Sequence, residues 1–400
     1  MSSDRLYYTD PYLVEFDAVV REVVPQKDRW KIVLDRTAFY PTSGGQPFDT
    51  GTIDEAIVID VFDQEDGTIG HLVDRPLDTN SRVRGHVDWA RRFDHMQQHS
   101  GQHVLSAAFD RIAGARTESF HLGSASSTID LDRTMTPADI ERAEDEANRI
   151  VWEDRPVVIR FASAEEALKL PLRKESGRTG ELRLVDMIDF DISACGGTHV
   201  ARTGAIGNVA VASSERFRGG TRVEFLCGIR TLRAYRALRD TTAASVRLVS
   251  VLPADLPAGI ERLQGESKEV RRQVKDLQTR LAAFEGAALA DRAEPQGSLR
   301  VVVAVLEGWD QNGLKAIASA IASRPAYVAA LFSVPHPSAV VIARASDAAV
   351  DCSAVLKKVI ERFGGKGGGR AELAQGGGLQ GAPDDFISFA RAALTSSAAA

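Results

Sequence analysis

Residues 260–288 constrain the fold of this 400-residue chain more than any other stretch. Apolar or small side chains recur there at Ile260, Leu263, Ser267, Val270, Val274, Leu277, Leu281, Phe284 and Ala288. The spacing is 3, 4, 3, 4 throughout, a heptad seam over about four heptads, weakened only by Ser267 and by the off-seam Gly265 and Gly286. A helix of that length does not fit inside one small core. It needs either a second helix folded back on it or a second copy of the chain. The seam therefore divides the sequence, and the length alone already suggests two or three domains. Another helix, residues 228–251, ends before Pro253 and Pro257, and Pro295 with Gly297 marks a linker on the far side. We expect an α+β protein in four parts. Residues 1–90 would form a small β-barrel-like domain and residues 91–240 a central α+β domain. Residues 241–292 would form a helical, coiled-coil linker and residues 293–400 an α/β domain.

Composition narrows the function classes. The net charge of −6 excludes nucleic-acid binding by bulk charge, so any RNA contact needs a local basic patch. Three cysteines, an odd and sparse count, argue for a reducing compartment without a disulfide framework. The N-terminus lacks the layout of a signal peptide, and no apolar run approaches membrane-spanning length. The expected location is the cytoplasm.

Short strand-like runs at residues 16–24, 30–34 and 56–62 predict a mostly antiparallel N-terminal domain. One loop within it, residues 34–51, carries Gly44 and Gly45 among Thr37, Thr42, Ser43 and Gln46. The glycines allow positive φ and close approach to a ligand, although a tight hairpin bend would use them equally well. From residue 91 a helix is expected to run to residue 113. It places His95, His99 and His103 on one face, and two histidines at i, i+4 are a chelating arrangement. His121, near the end of a strand, is a weaker site residue. Further on, strand-like residues 182–194 feed a glycine turn bracketed by Cys195 and His199. A Cys-x3-His turn added to two helix histidines makes three imidazoles and one thiolate, donors suited to tetrahedral zinc. Asp186, Asp189 and Asp191 could orient the imidazoles or simply line a solvated strand face.

The loop Thr37-Ala-Phe-Tyr-Pro-Thr-Ser-Gly-Gly-Gln46, the helix His99-Ser-Gly-Gln-His103 and the turn Cys195-Gly-Gly-Thr-His199 together resemble the editing domain of alanyl-tRNA synthetase. They resemble still more the free-standing alanyl-tRNA editing proteins of the AlaX type. The resemblance covers roughly residues 5 to 230. It implies zinc-dependent hydrolysis of seryl or glycyl esters wrongly attached to tRNA(Ala). It places one zinc ion on His99, His103, Cys195 and His199 and leaves His95 as a neighbour. Thr37 is the expected sensor of the serine hydroxyl, Gln46 would help place the ester, and Gly44 and Gly45 would close the pocket. With the first strands so near Met1, no aminoacylation domain is expected. Two other readings remain: a non-catalytic, zinc-stabilised tRNA-binding module, and a zinc hydrolase of a small ester or amide.

Arg202, Arg216, Arg218, Arg222, Arg230, Arg233, Arg236 and Arg239 form the most basic stretch. It is either an exposed helix face or a path for the tRNA backbone, with Arg216, Arg218 and Arg222 the expected contacts. The C-terminal part predicts strands at 299–306, 327–332 and 339–343 and helices at 313–323, 352–363 and from 383. Its glycine-rich run 364–378 is no P-loop, because no Ser or Thr follows Lys366. The part resembles the DHH-associated domain that ends alanyl-tRNA synthetases and the longer AlaX proteins. There Lys366 and Arg370, on a glycine loop, would suit a phosphate. A homodimer through the seam or this domain is the expected assembly.

Overall fold

Alternation decides the N-terminal architecture. Along β1 (Glu15–Gln26), Phe16, Ala18 and Val20 point inward while their neighbours face solvent, and in β6 (Arg82–Val87) Val83, Gly85 and Val87 do the same. Between them run β2 (Arg29–Leu34), β3 (Gly51–Ile53), β4 (Ala56–Asp63) and β5 (Ile69–Val73). All pairs are antiparallel, and the order β1-β2-β5-β4-β3-β6 closes where β6 returns to β1. The result is a six-stranded barrel filled by its own side chains.

The computed structural model describes residues 2–173, 180–334 and 337–398. The chain divides into two units, residues 1–244 and 245–400, each with its own core. The first unit holds the barrel and the histidine helix α1 (Trp89–Ala113), capped by the Asp88 side chain and ended by Gly114 in the left-handed region. The helix is buried almost all round from His95 to Phe109, which is why its apolar pattern is not one clean stripe. Arg92, fully enclosed, ties it to the barrel. Its guanidinium pairs with the buried Asp49 carboxylate and donates to the carbonyls of Pro11 and Ala38.

Two further sheets complete this unit. One contains β7 (Thr117–Leu122), β8 (Ser127–Leu131), β12 (Val209–Phe217) and β13 (Gly220–Cys227), in the order β12-β13-β8-β7. The other is β9 (Val157–Ala162), β10 (Leu182–Met187) and β11 (Asp191–Ala194) in sequential order. Helix α2 (Pro137–Trp152) begins with Thr136 in a reciprocal capping box with Asp139 and buries Ile140, Ala143, Ala147, Ile150 and Val151. Helix α3 (Ile229–Val249) follows β13.

In the second unit, α4 (Leu256–Asp291) is one continuous helix. Its heptad seam is not covered by any described residue: Ile260, Leu263, Val270, Val274, Leu277, Leu281 and Phe284 are between 43% and 76% exposed. The helix docks instead through Ala282, Gly286 and Ala290, a stripe of small residues at i, i+4, i+8. There a Cβ on Gly286 would lie 2.9 Å from that of Ala320 on α5 (Gln311–Ala322). Small residues let the two backbones approach, so docking uses the small face and leaves the large one out. The sheet here has six strands: β14 (Glu294–Gln296), β15 (Leu299–Glu307), β16 (Tyr327–Val334), β17 (Ser338–Arg344), β18 (Lys366–Gly369) and β19 (Leu373–Leu379). Their order is β14-β15-β16-β17-β19-β18, antiparallel except for the β15–β16 pair. Helices α6 (Cys352–Phe363) and α7 (Pro383–Ala398) follow β17 and β19. The glycine run is thus not a loop. Gly367, Gly368 and Gly369 of the edge strand β18 pair with Gly376, Gln375 and Ala374 of β19, with Lys366 and Arg370 exposed on the hairpin.

Candidate metal centre and cavity

Three elements of the first unit meet at one point. Helix α1 presents His99 and His103 one turn apart, their ring centroids 5.4 Å from each other. The turn that leaves β11 brings Cys195 and His199. The His199 ring lies 4.5 Å from that of His99 and 4.7 Å from that of His103. One donor atom from each of the four residues falls within 4.8 Å of every other. Cys195 Sγ is 3.5 Å from His99 Nε2 and 3.3 Å from His199 Nε2.

Each imidazole is held by its other nitrogen. His99 Nδ1 bonds Gln46 Oε1 at 2.8 Å, His103 Nδ1 bonds Asp191 Oδ2 at 3.3 Å, and His199 Nδ1 lies 3.1 Å from Ser100 Oγ. This leaves the three Nε2 atoms for the centre, as in metal sites whose ligands are oriented from behind. Gln46 also receives the Thr198 N–H at 3.1 Å and donates to the Thr198 hydroxyl at 2.8 Å. It thereby locks the barrel loop, the helix and the turn together. Two glycines make the approach feasible. A Cβ on Gly197 would sit 2.2 Å from His99 Cε1. Gly45, at φ +85°, has no room for one against Phe120. Gly44 and Gly45, both at positive φ, form the two-residue turn between Ser43 and Gln46, and Gly45 accepts the N–H of Leu122 from β7.

The electrostatics favour a thiolate among imidazoles. Burial works against the charged form of Cys195, yet His99, His199 and hydrogen bonds from His103 and His199 hold its pKa well below the ordinary thiol range. Burial likewise opposes a charged His103, but Asp191 and Cys195 outweigh it and raise its pKa. Burial pushes His199 down to about 3. Asp191 is drawn to about 2 against the effect of burial, by His103 and by Arg173 at 2.8 Å. Three imidazoles and a thiolate with inward donors fit a tetrahedral metal ion.

His99, His103 and Cys195 line a cavity of about 770 Å³, together with Tyr8, Tyr40, Ser43, Gly44, Gln102, Phe120 and Arg183. The expected site residues divide there. Gly44 reaches the cavity; Thr37 and Gln46 are not part of its wall. Thr37 lies fully buried inside the barrel, its hydroxyl 2.9 Å from His71 Nε2 and accepting the N–H of Phe39 at 3.1 Å. Gln46 acts on His99, behind the donors. Of the three aspartates, Asp191 alone meets a ligand; Asp186 pairs with Arg160 and Asp189 occupies a turn at φ +60°. His95 is buried away from the cluster with Nδ1 unpartnered, and His121 is exposed. Among the arginines, Arg202, Arg222 and Arg230 are tied to Asp154, Asp130 and Asp94, whereas Arg216 and Arg218 stand exposed at the tip of the β12–β13 hairpin. The sequence pointed to Cys195 and His199 by their spacing, but nothing in it marked Ser100, Thr198 or Arg183.

Comparison with known proteins follows the same division. Residues 182–224 match the second additional domain of threonyl and alanyl tRNA synthetases, residues 298–396 the DHHA1 domain, and residues 8–91 the class II (A) tRNA synthetases. The chain is 34% identical over 387 residues to the alanine–tRNA ligase of Methanoculleus marisnigri, covering 94% of this chain and 41% of the ligase. It is 32% identical over 390 residues to that of Pyrococcus furiosus, covering 93% and 41%. It thus spans about two-fifths of the length of those ligases. With the alanyl-tRNA editing protein AlaX-L of Pyrococcus horikoshii it shares 32% identity over 407 residues and 98% of each chain. End-to-end similarity of that extent, with the His/Cys cluster assembled in the folded chain, means that the protein belongs to the long-form alanyl-tRNA editing (AlaX-L) family.

Proposed function

We propose that this chain is a zinc-dependent trans-editing hydrolase that removes serine, and glycine, from mischarged tRNA(Ala) in the cytoplasm. The observation that carries the reading is a four-donor His/Cys cluster opening on a polar cavity in a member of the AlaX-L family. Zinc suits the donors. Bond lengths of about 2.0 and 2.3 Å in a tetrahedron separate nitrogen from sulfur by about 3.5 Å, and the sulfur–nitrogen distances here are 3.3 and 3.5 Å. Zinc bound there supplies a Lewis acid for the ester carbonyl or for water. The chain's own residues do the rest. Gln46, Asp191 and Ser100 fix the imidazoles, and the Gly197 N–H, 3.4 Å from Cys195 Sγ, supports the thiolate. The need for such a site is general. A pocket that accepts alanine rejects an added hydroxyl only weakly, on the order of a hundredfold, so a second, hydrolytic site must correct the error.

Incubating the zinc-loaded protein with seryl- and alanyl-tRNA(Ala) tests this. Selective release of serine is expected; no release of either amino acid refutes hydrolysis. A second reading has one observation in its favour. Four protein donors complete a tetrahedron, the rule for structural zinc, which would make the chain a tRNA-binding module. It would then bind both charged tRNAs and hydrolyse neither. In either case Arg216 and Arg218, with Lys366 and Arg370 on the second unit, are the proposed contacts for the RNA backbone. The exposed seam of α4 is the proposed surface for a homodimer, which sedimentation would detect.

A further inference from the structure

One arginine in the cavity lining has no described carboxylate partner and keeps an unused N–H group. Arg183 lines the cavity and is 7% exposed. Its Nε donates to the Tyr8 carbonyl at 2.9 Å, and its Nη1 donates to the carbonyls of Cys195 at 2.7 Å and Gly197 at 3.0 Å. Its Nη2 is enclosed and has no partner among the described residues. The two other arginines of the lining differ: Arg5 is paired with Asp63 at 2.7 Å and Arg173 with Asp191 at 2.8 Å. No described carboxylate pairs with Arg183. A second buried group in the same lining is also unsatisfied: Tyr7, 1% exposed, has a hydroxyl without a partner.

A buried guanidinium without a carboxylate partner is costly, and buried N–H groups are nearly always paired. An arriving anion would satisfy both requirements. The surroundings indicate which anion. The guanidinium lies 5.4 Å from the centre of the Tyr8 ring, and Tyr7 packs edge-on against Tyr8 and Tyr40, with centroids 5.1 and 5.3 Å away. A guanidinium beside tyrosine rings suits a nucleotide, whose phosphate accepts from the one free nitrogen, Nη2, and whose ribose and base take the aromatic surface. Nη1 already grips the carbonyl of Cys195, so the anion would sit beside the metal donors and hence close to the reacting ester. The cavity, at about 770 Å³, lies within the range of sites that hold such ligands.

We propose that Arg183 receives the 5′-phosphate of the terminal nucleotide of the RNA, with that nucleotide's ribose and base against Tyr8 and Tyr40. The proposal rests on the deacylase reading above and makes Arg183 a positioning residue for the substrate. Two measurements on the full-length, zinc-loaded protein test it. In the first, AMP and adenosine are titrated by calorimetry. The wild type should bind AMP about 10- to 100-fold more tightly, and Arg183→Gln should bring the two within about threefold. Arg183→Lys, which keeps the charge but cannot hold the carbonyls and reach the phosphate at once, should fall between. In the second, hydrolysis of 3′-seryl-adenosine is compared with that of 3′-seryl-AMP. Arg183→Gln, which also releases the carbonyls of Cys195 and Gly197, should raise KM more for the phosphorylated ester than for the other, at unchanged zinc content. Equal affinity of the wild type for AMP and adenosine overturns the proposal, as does an equal loss on both esters. Should Arg183→Gln lose zinc, Arg183→Lys and the wild-type comparison still decide. Should neither ester be hydrolysed, the deacylase reading fails while the AMP titration continues to judge Arg183.

Discussion

Replacing Gln46 with Leu is the sharpest test of how the metal centre is built. The side chain is fully enclosed and makes three hydrogen bonds, to His99 Nδ1, the Thr198 N–H and the Thr198 hydroxyl, at 2.8, 3.1 and 2.8 Å. Leucine fills the space but accepts nothing, so the His99 Nδ1–H and the Thr198 N–H are stranded. Each stranded buried donor costs about 1–3 kcal/mol, for a loss of roughly 2–6 kcal/mol in the metal-free protein. Without its anchor His99 also loses the orientation that directs Nε2 inward, and zinc affinity should fall about 10- to 100-fold. Gln46→Glu separates the two effects. A carboxylate still accepts from both N–H groups, and the Thr198 hydroxyl can turn to donate to it, so it should retain most of the affinity that leucine loses. Denaturant unfolding of the metal-free protein gives the stability, and competition against a chelator of known affinity gives the metal binding. If Gln46→Leu binds zinc within about threefold of wild type, the hydrogen bond from Gln46 does not orient His99 and the reasoning fails.

Cys195→Ala removes the thiolate that two Nε2 atoms face, so zinc content and esterase activity should fall together; zinc retained at one per chain would contradict the assigned donor set. Thr37→Val removes a hydroxyl that serves His71 and the Phe39 N–H inside the barrel, and should lower stability by about 1–2 kcal/mol without changing the ratio of seryl to alanyl ester hydrolysis. A changed ratio would return Thr37 to the substrate. His71 supplies a pH signature: burial pushes its pKa from 6.5 to about 4. Because the folded value is depressed, its contribution is complete above about pH 6.5 and is lost as pH falls toward 4. At about 1.4 kcal/mol per pH unit the loss amounts to roughly 3 kcal/mol. Urea unfolding of wild type and His71→Gln across that range should show the slope flatten in the variant.

What could be read from the sequence was what local geometry fixes. A helix places i and i+4 on one face, so His95, His99 and His103 stood out together as ligand candidates and only the family resemblance chose His99 and His103 among them, while a Cys-x3-His turn has little freedom in where it points its ends. The supporting residues had no such signature. Asp186, Asp189 and Asp191 are equivalent in sequence; strand register and a turn at Asp189 decide that only Asp191 faces His103. Gln46 and Thr37 stood in one polar loop, and the short distance between them hides that one points to the helix and the other into the barrel. The heptad seam shows the same limit on a larger scale. Periodicity reports that apolar residues share a face, not which face is buried. On α4 the close approach of Gly286 to Ala320 decided the docking, and the seam stayed exposed.

The placement of the ligands has a consequence for how the centre responds to change. His99 is held from the barrel loop by Gln46, His103 from the end of β11 by Asp191, and His199 from α1 by Ser100. Each imidazole is therefore oriented by an element other than its own. A shift of α1 alone would pull His99 and His103 away from their anchors and carry Ser100 away from His199, disturbing three ligands at once. Arg92 opposes that shift with a buried ion pair to Asp49 of the barrel. Breaking such a pair strands a buried charge at a cost of about 3–5 kcal/mol. Arg92, although it touches neither ligand nor cavity, thus works with Gln46 to make the barrel and the metal centre one mechanical unit.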